Sequence, residues 1–473
     1  MPSLPPTSIS RPSRPLRPPI DRLVPPVPGE IHSFRFPAYL KRRLDNGLTV
    51  YTARLPGVPL VSVELVIPAG AQHDPPGRGG LGTLTASLLD EGTQGKNALE
   101  IAAYVEELGG YLTTGADWDE GYLATGLLAQ HRRQGLSLLA EVLTSPIFPE
   151  REIERLRRQR LAEILRRSYD PSSQADDRLT REIYRGTVYA SSLLGDEASV
   201  SSLTKDEIES FYRSHYAASG SALIAVGDLD PEALLDEVEA LFGGVAGWAP
   251  PPSPEIRPAP LPGINVHIVD RPGAAQTELR LGHVGVSRKD PDFIPLAVMN
   301  ALLGGKFTSR INLNLRERHG YTYGASTRFV GRLGPGPFLA GAAVATESTG
   351  AAVREILSEL ARIRDEPVGE DELADTRSYL MGVFPYTVQT IGDLAKRLEI
   401  LAVYGLPDDY YDGYVARMEA VTREDVQRVA QGHLDPDHLA VVAVGPAEVL
   451  EPQLAGLGTL QVWSRSEPAP AGG

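Results

Sequence analysis

Arg316 and Tyr323 are the residues in this sequence best suited to chemistry. They flank a glycine corner in Leu315-Arg316-Glu317-Arg318-His319-Gly320-Tyr321-Thr322-Tyr323-Gly324. An arginine offers up to five fixed donors and a tyrosine one hydroxyl, a set suited to a carbonyl oxygen that becomes an oxyanion. Neither supplies a nucleophile or activates water, so the pair is half of a hydrolytic mechanism. Ordinary structural roles compete with this reading, because cations complement helix C-termini and tyrosines are common in strands.

The usual sources of the other half are missing. The nine histidines are His32, His73, His131, His215, His267, His283, His319, His433 and His438, and none belongs to an H-x-x-E-H or H-E-x-x-H pair. The one cluster, His433-Leu434-Asp435-Pro436-Asp437-His438, is broken by proline and reads as a solvated loop. No G-x-S-x-G elbow supports a serine triad, and the glycine pairs Gly79-Gly80 and Gly304-Gly305 lack the context of a phosphate loop. With no cysteine, disulfides and thiolate metal sites are excluded. A formal charge of −15 argues against a duplex nucleic-acid partner, which needs clustered Lys and Arg. No apolar run is long enough to span a bilayer.

Local patterns say which elements position the pair. Apolar residues at Phe307, Ile311, Leu313 and Leu315 predict a helix from Phe307 to His319, stopped by Gly320. Tyr321, Tyr323 and Ala325 then alternate as a strand. Arg316 therefore falls in the last helical turn and Tyr323 just past the corner.

The chain repeats itself. Leu203-Thr204-Lys205-Asp206-Glu207-Ile208 opens a helix followed by the strand Ala222-Leu223-Ile224-Ala225-Val226-Gly227. Val421-Thr422-Arg423-Glu424-Asp425-Val426 opens another, followed by Leu439-Ala440-Val441-Val442-Ala443-Val444-Gly445. The offset is 218 for both elements (422 − 204 and 444 − 226). Each Thr is followed three residues later by an acid, a capping-box signature. The strand at Val61–Pro68 matches Glu278–Val284 at a nearby offset.

These repeats predict an α+β fold of two homologous halves, each a mixed sheet covered by helices. A proline cluster from Trp248 to Gly263 separates them as a semi-rigid spacer. The expected organisation is a Pro-rich N-terminal arm (1–29), an N-terminal domain (30–246), a linker (247–263), a C-terminal domain (264–452) and a tail (453–473). The first residues contain no apolar signal core, and the composition fits cytoplasm and periplasm equally well.

With these features in place, residues 35–450 resemble the pitrilysin/insulinase family of inverzincin metallopeptidases. The most specific segment is Asn300–Ala325, NALLGGKFTSRINLNLRERHGYTYGA, which looks like the family segment carrying an Arg and a Tyr seven residues apart. Gly80–Thr93, GLGTLTASLLDEGT, looks like the family's zinc helix. There the departure is decisive. Thr83 and Ser87 replace the two histidine ligands and Ala86 replaces the general-base glutamate, while Glu163 aligns with the third ligand. Hydroxyls are poor zinc ligands, and without the glutamate nothing activates a metal-bound water. Glu163 is expected to be a leftover, paired with Arg167 one turn on.

The resemblance implies the non-zinc subunit of a split-site heterodimer. A homologous H-x-x-E-H partner would carry zinc, and this chain would bring Arg316 and Tyr323 to the carbonyl of a peptide or small unfolded protein. No cofactor is expected in this chain itself. A catalytically inactive scaffold is the alternative, and Trp118, Tyr122 and Phe329 are candidate linings of the chamber between subunits.

Overall fold

The computed structural model describes residues 34–464; the Pro-rich arm and the last nine residues lie outside them. Two six-stranded mixed sheets account for the strands. The first contains β1 (Leu40–Arg43), β2 (Thr49–Arg54), β3 (Leu60–Ile67), β4 (Tyr111–Ala116), β5 (Gly121–Leu128) and β6 (Ala222–Gly227), in the order β1-β2-β6-β3-β5-β4. The second contains β7 (Asn265–Asp270), β8 (Gln276–Val284), β9 (Thr322–Phe329), β10 (Pro337–Ala345), β11 (Ala440–Gly445) and β12 (Thr459–Trp463), in the order β12-β7-β11-β8-β10-β9.

Five strands correspond in the two sheets. β6 lies parallel to β2 and antiparallel to β3, as β11 lies parallel to β7 and antiparallel to β8. The offset of 218 recurs in the helices Lys205–His215 and Arg423–His433, which begin with Thr204 and Thr422 capping boxes. Only the outermost strand differs. β1 joins its sheet antiparallel from the start of the chain, and β12 joins parallel to β7 from within the segment expected as a tail.

Each half covers one face of the other's sheet. Strands β6 and β11 are buried throughout, so both faces of each need a cover. On β6, Leu223 and Ala225 face the N-terminal half's own core. Ala222, Ile224 and Val226 pack instead in the core that contains Leu394, Leu398 and Leu401 of the Ile391–Tyr404 helix. The relation is reciprocal at β11, where Ala440, Val442 and Val444 pack with Ala175, Leu179 and Ile183 of the Pro171–Ile183 helix. The linker is fastened to the same contact, since Ile256 is buried in that third cluster.

One polar pair is sealed into the contact between halves. Glu120, just before β5, and Glu399, on the Ile391–Tyr404 helix, are 7% and 3% exposed. The Oε2 atom of each is buried with no donor, yet the two carboxyls lie within hydrogen-bonding reach of one another. Two acceptors can satisfy each other only if one holds a proton. Burial, then Glu399, then Asp117 push the Glu120 carboxyl far above the ordinary range. Glu64 on β3 is raised by burial and by Glu399, and Lys396, paired with Glu399, works against both shifts.

The pair has a signed effect on stability. In the unfolded chain Glu120 ionises near 4.5, whereas the folded pair keeps its proton to higher pH. Raising the pH above that value therefore costs folded-state stability, by up to about 1.4 kcal/mol per pH unit until the folded group also ionises. Glu120→Gln keeps a donor for Glu399 without the titration. The unfolding midpoint of the variant should fall less between pH 5 and pH 8 than that of the native chain and lie above it at pH 8. Identical pH dependence in the two proteins would rule out the shared proton.

Candidate functional site

The helix Leu81–Ser87 packs beside β4 and the Lys205–His215 helix, and its start is fixed by a carboxylate. Asp74 accepts the backbone N–H groups of Gly80 (2.8 Å) and Gly82 (2.7 Å). Gly80 sits at φ +89°, where a Cβ would stand 2.7 Å from the Leu194 carbonyl, so this corner needs glycine. Burial pushes the Asp74 carboxyl up to about 7 despite those bonds and nearby Arg160.

Of the four positions singled out by the resemblance, Thr83, Ala86 and Ser87 share this helix, and Ala86 is fully buried. Arg160, on the facing Glu150–Tyr169 helix, reaches into the space between the two hydroxyls. Its Nη1 donates to Thr83 Oγ1 at 2.6 Å and to the Gly80 carbonyl at 3.1 Å, and its Nη2 to Ser87 Oγ at 3.5 Å. The Thr83 hydroxyl is itself committed to the Leu193 carbonyl at 2.6 Å. Burial lowers the Arg160 pKa to about 10, which leaves it charged at neutral pH.

Glu163 is one turn further along and points elsewhere. It is bidentate to Arg166 at 2.8 and 2.5 Å, and Arg167 pairs with Asp177 at 2.8 Å. The Glu163–Arg167 pair expected from the sequence is therefore corrected to an i,i+3 pair with Arg166. A divalent zinc does not fit this arrangement. The position offers two occupied hydroxyls, no imidazole and a guanidinium in the way.

Among the described residues, the one His/Asp/Glu trio with metal-compatible spacing lies elsewhere and comprises Asp290, Asp292 and His433. Asp292 there already holds His433 Nε2 at 2.9 Å and Arg428 at 2.8 Å, so its charge is neutralised by protein groups. His433 therefore ends the Arg423–His433 helix hydrogen-bonded to Asp292, where the sequence suggested a solvated loop.

Zinc uptake tests the reading of Arg160. A chain carrying Thr83→His, Ala86→Glu and Ser87→His should remain a weak zinc binder while Arg160 is present. Adding Arg160→Gln should tighten binding at least about tenfold, measured by competition with a chromophoric chelator. Equal affinity in the two chains would show that the guanidinium does not block the position.

Arg316 and Tyr323 occupy a different setting. The expected helix from Phe307 to His319 is not continuous. A π turn at Ala301–Gly305 is followed by a bend, a short helix at Arg310–Asn312 and a second π turn at Leu313–Arg318. The widened turn shows in the His319 N–H, which bonds the Asn314 carbonyl five residues back at 3.1 Å. Gly320, at φ +65°, ends it as the sequence predicts. Apolar periodicity does not distinguish an α turn from a π turn, so the sequence could not show the widening.

Arg316 lies in this turn, with Nε 3.4 Å from Glu317 and its guanidinium carbon 4.5 Å from the Phe307 ring centre. Tyr323, on β9, is 89% exposed, and its hydroxyl has no hydrogen-bond partner among the described residues. The two side chains are thus largely free of commitments to the described residues.

β9 is an edge strand, but its middle is covered. The Ala325 N–H donates to Asn312 Oδ1 at 3.0 Å, and Asn300 Nδ2 donates to the Thr327 carbonyl at 3.1 Å. Trp118 and Phe329 are packed against neighbouring rings, and Tyr122 against the shared core. All three are half-buried.

Duplicated α+β halves, with hydroxyls and a guanidinium at the metal positions, define a peptidase-type scaffold whose own metal helix lacks ligands. The comparisons agree. Residues 49–197 match "Insulinase (Peptidase family M16)" and residues 202–380 match "Peptidase M16 inactive domain". An uncharacterized zinc protease of Streptomyces coelicolor is 24% identical over 82% of this chain and 85% of its own length. A non-peptidase homologue of Helicobacter pylori is 21% identical over 82% and 89%. A probable mitochondrial-processing peptidase subunit beta of Arabidopsis thaliana is 24% identical over 86% and 78%. Among solved structures, a peptidase M16 inactive domain from Pseudomonas fluorescens superimposes with a TM-score of 0.81 at 26% identity, covering 86% of this chain and 98% of that one. The chain belongs to the M16, or insulinase, peptidase family.

Proposed function

We propose that this chain is the non-zinc subunit of a split-site metallopeptidase. A homologous subunit with an intact H-x-x-E-H helix would supply zinc and the general base. Arg316 and Tyr323 would donate to the substrate carbonyl and to the oxyanion that replaces it. Tyr323 carries this reading, because a tyrosine hydroxyl that is almost fully exposed and unpartnered among the described residues, seven residues after a half-buried arginine, is arranged for something outside the chain. Removing one oxyanion donor typically costs about 10²–10³ in rate.

The covered edge of β9 bears on substrate binding. A peptide strand cannot add where Asn300 and Asn312 already use the backbone groups, so the strand that receives a peptide or small unfolded protein belongs on the partner. A second reading, an inactive scaffold, is favoured by Arg160, which fills the former metal position with stabilising contacts, and by the relative named a non-peptidase homologue.

Turnover of an internally quenched peptide by the mixed subunits separates the readings. This chain alone should be inactive, and with its zinc-carrying homologue it should give activity that a chelator abolishes. Arg316→Ala and Tyr323→Phe should each lower that turnover at least about tenfold while leaving subunit association intact. Turnover by the zinc homologue that is indifferent to this chain would establish the scaffold.

A further inference from the structure

Three segments of the C-terminal half enclose a cleft of about 400 Å³: the turn before the Phe293–Asn300 helix, the loop after the Ile391–Tyr404 helix, and residues 417–425. It contains none of the residues discussed as a peptidase site. Its apolar wall is formed by Phe293, Leu406 and Val421, and its polar wall holds three cations, Arg288, Lys289 and Arg417.

None of these cations has a carboxylate partner among the described residues. Arg288 is 8% exposed, and its one side-chain hydrogen bond goes to the Tyr410 hydroxyl at 3.1 Å. Its guanidinium carbon stands 4.1 Å from the Phe293 ring centre and 5.0 Å from that of Tyr410. Arg417 stands 4.7 Å from the same Tyr410 ring and donates to the Tyr410 carbonyl. The Lys289 ammonium makes no hydrogen bond or ion pair, and lies 3.5 Å from where a Cβ on Gly405 would stand.

The two acids of the wall are engaged elsewhere. Asp290 accepts the Asp292 N–H at 2.8 Å. Asp425 accepts from the Thr422 N–H and hydroxyl, both at 3.0 Å, and pairs with Arg428 at 3.5 Å.

Arg288 is withdrawn from water without a paired carboxylate, which is costly, and ring faces offset only part of that cost. Lys289 and Arg417 stand exposed beside it, in a chain whose net charge is −15. We propose that the cleft binds a small organic anion, with a carboxylate or phosphate head held by Arg288, Lys289 and Arg417 and an apolar body against Phe293, Leu406 and Val421. The Arg forks match either head group, and the aromatic surround selects a ligand with a flat or aliphatic body over a bare ion. The inference is independent of any peptidase activity.

Ligand-detected NMR and calorimetry on the full chain at low salt test it, with benzoate and phenyl phosphate as probes. At least one should bind saturably with a Kd in the millimolar range or below, and more weakly as salt is raised. Lys289 and Arg417 are exposed, so Lys289→Gln with Arg417→Gln should leave the fold intact, as checked by circular dichroism, while weakening binding at least about tenfold. Failure of both probes to bind by about 10 mM would overturn the proposal, as would unchanged affinity in the double variant. Benzyl alcohol binding as well as benzoate would refute the anionic head, and inorganic phosphate binding as well as phenyl phosphate would refute the apolar body.

Discussion

The structure depends on a reciprocal exchange of covers between its halves. Each sheet is shielded on one face by its own helices and on the other by a single helix from the opposite half. Six small or branched side chains, Ala222, Ile224 and Val226 on β6 and Ala440, Val442 and Val444 on β11, are buried only because those helices lie across them. Burying each of the four valine or isoleucine side chains among them contributes about 1.5–3 kcal/mol. Neither half retains a complete core without the other, so the duplication visible in the sequence does not amount to two independent domains.

Because the covers cross, several buried charged groups lie at the seams. Asp176 and Ser172 on the crossing Pro171–Ile183 helix both accept from Arg280 on β8, each at 2.6 Å. Further along the same helix, buried Glu182 pairs with Arg178 at 2.8 Å and lies 3.5 Å from His267 on β7. The Arg178 guanidinium in turn covers Trp463 at 3.4 Å. His267 accepts the Trp463 N–H and is held neutral, its pKa lowered to about 4 chiefly by burial. The opposite seam carries the Glu120–Glu399 pair. One seam thus buries opposite charges and the other two neighbouring carboxyls, one of which burial holds protonated well above its ordinary range, so the second is weakened by rising pH.

Much of this architecture is written in local patterns. Capping boxes at Thr204 and Thr422 and the apolar runs at 222–227 and 439–445 suffice to find the repeat, because those elements are buried on both sides and leave uninterrupted hydrophobic stretches. The crossing helices are not legible in this way. Ile391–Tyr404 and Pro171–Ile183 are ordinary amphipathic helices, and periodicity shows that such a face is buried without showing against which half. β12 was equally hidden, since five residues after a glycine-rich turn look like a tail until β7 is there to pair with them. At the site, motif spacing located Thr83, Ser87, Arg316 and Tyr323. It could not show that the nearest cation to the two hydroxyls comes from position 160, or that Glu163 turns to Arg166, because one helical turn of difference is decided by packing.

The two candidate sites differ in how far the protein engages their polar groups. At Thr83 and Ser87 two short hydroxyls share a long cation, Arg160, with the Gly80 carbonyl. A half-buried guanidinium with three acceptors supplies positive charge and fixed donors to that space. Arg316 and Tyr323 have no comparable engagement among the described residues. The Tyr323 hydroxyl has no partner among the described residues, and Arg316 has only Glu317 and a ring face beside it. Two backbone groups further along the same strand, the Ala325 N–H and the Thr327 carbonyl, are bonded by Asn312 and Asn300. Packing thus engages the middle of the strand and leaves the side chain at its start in solvent.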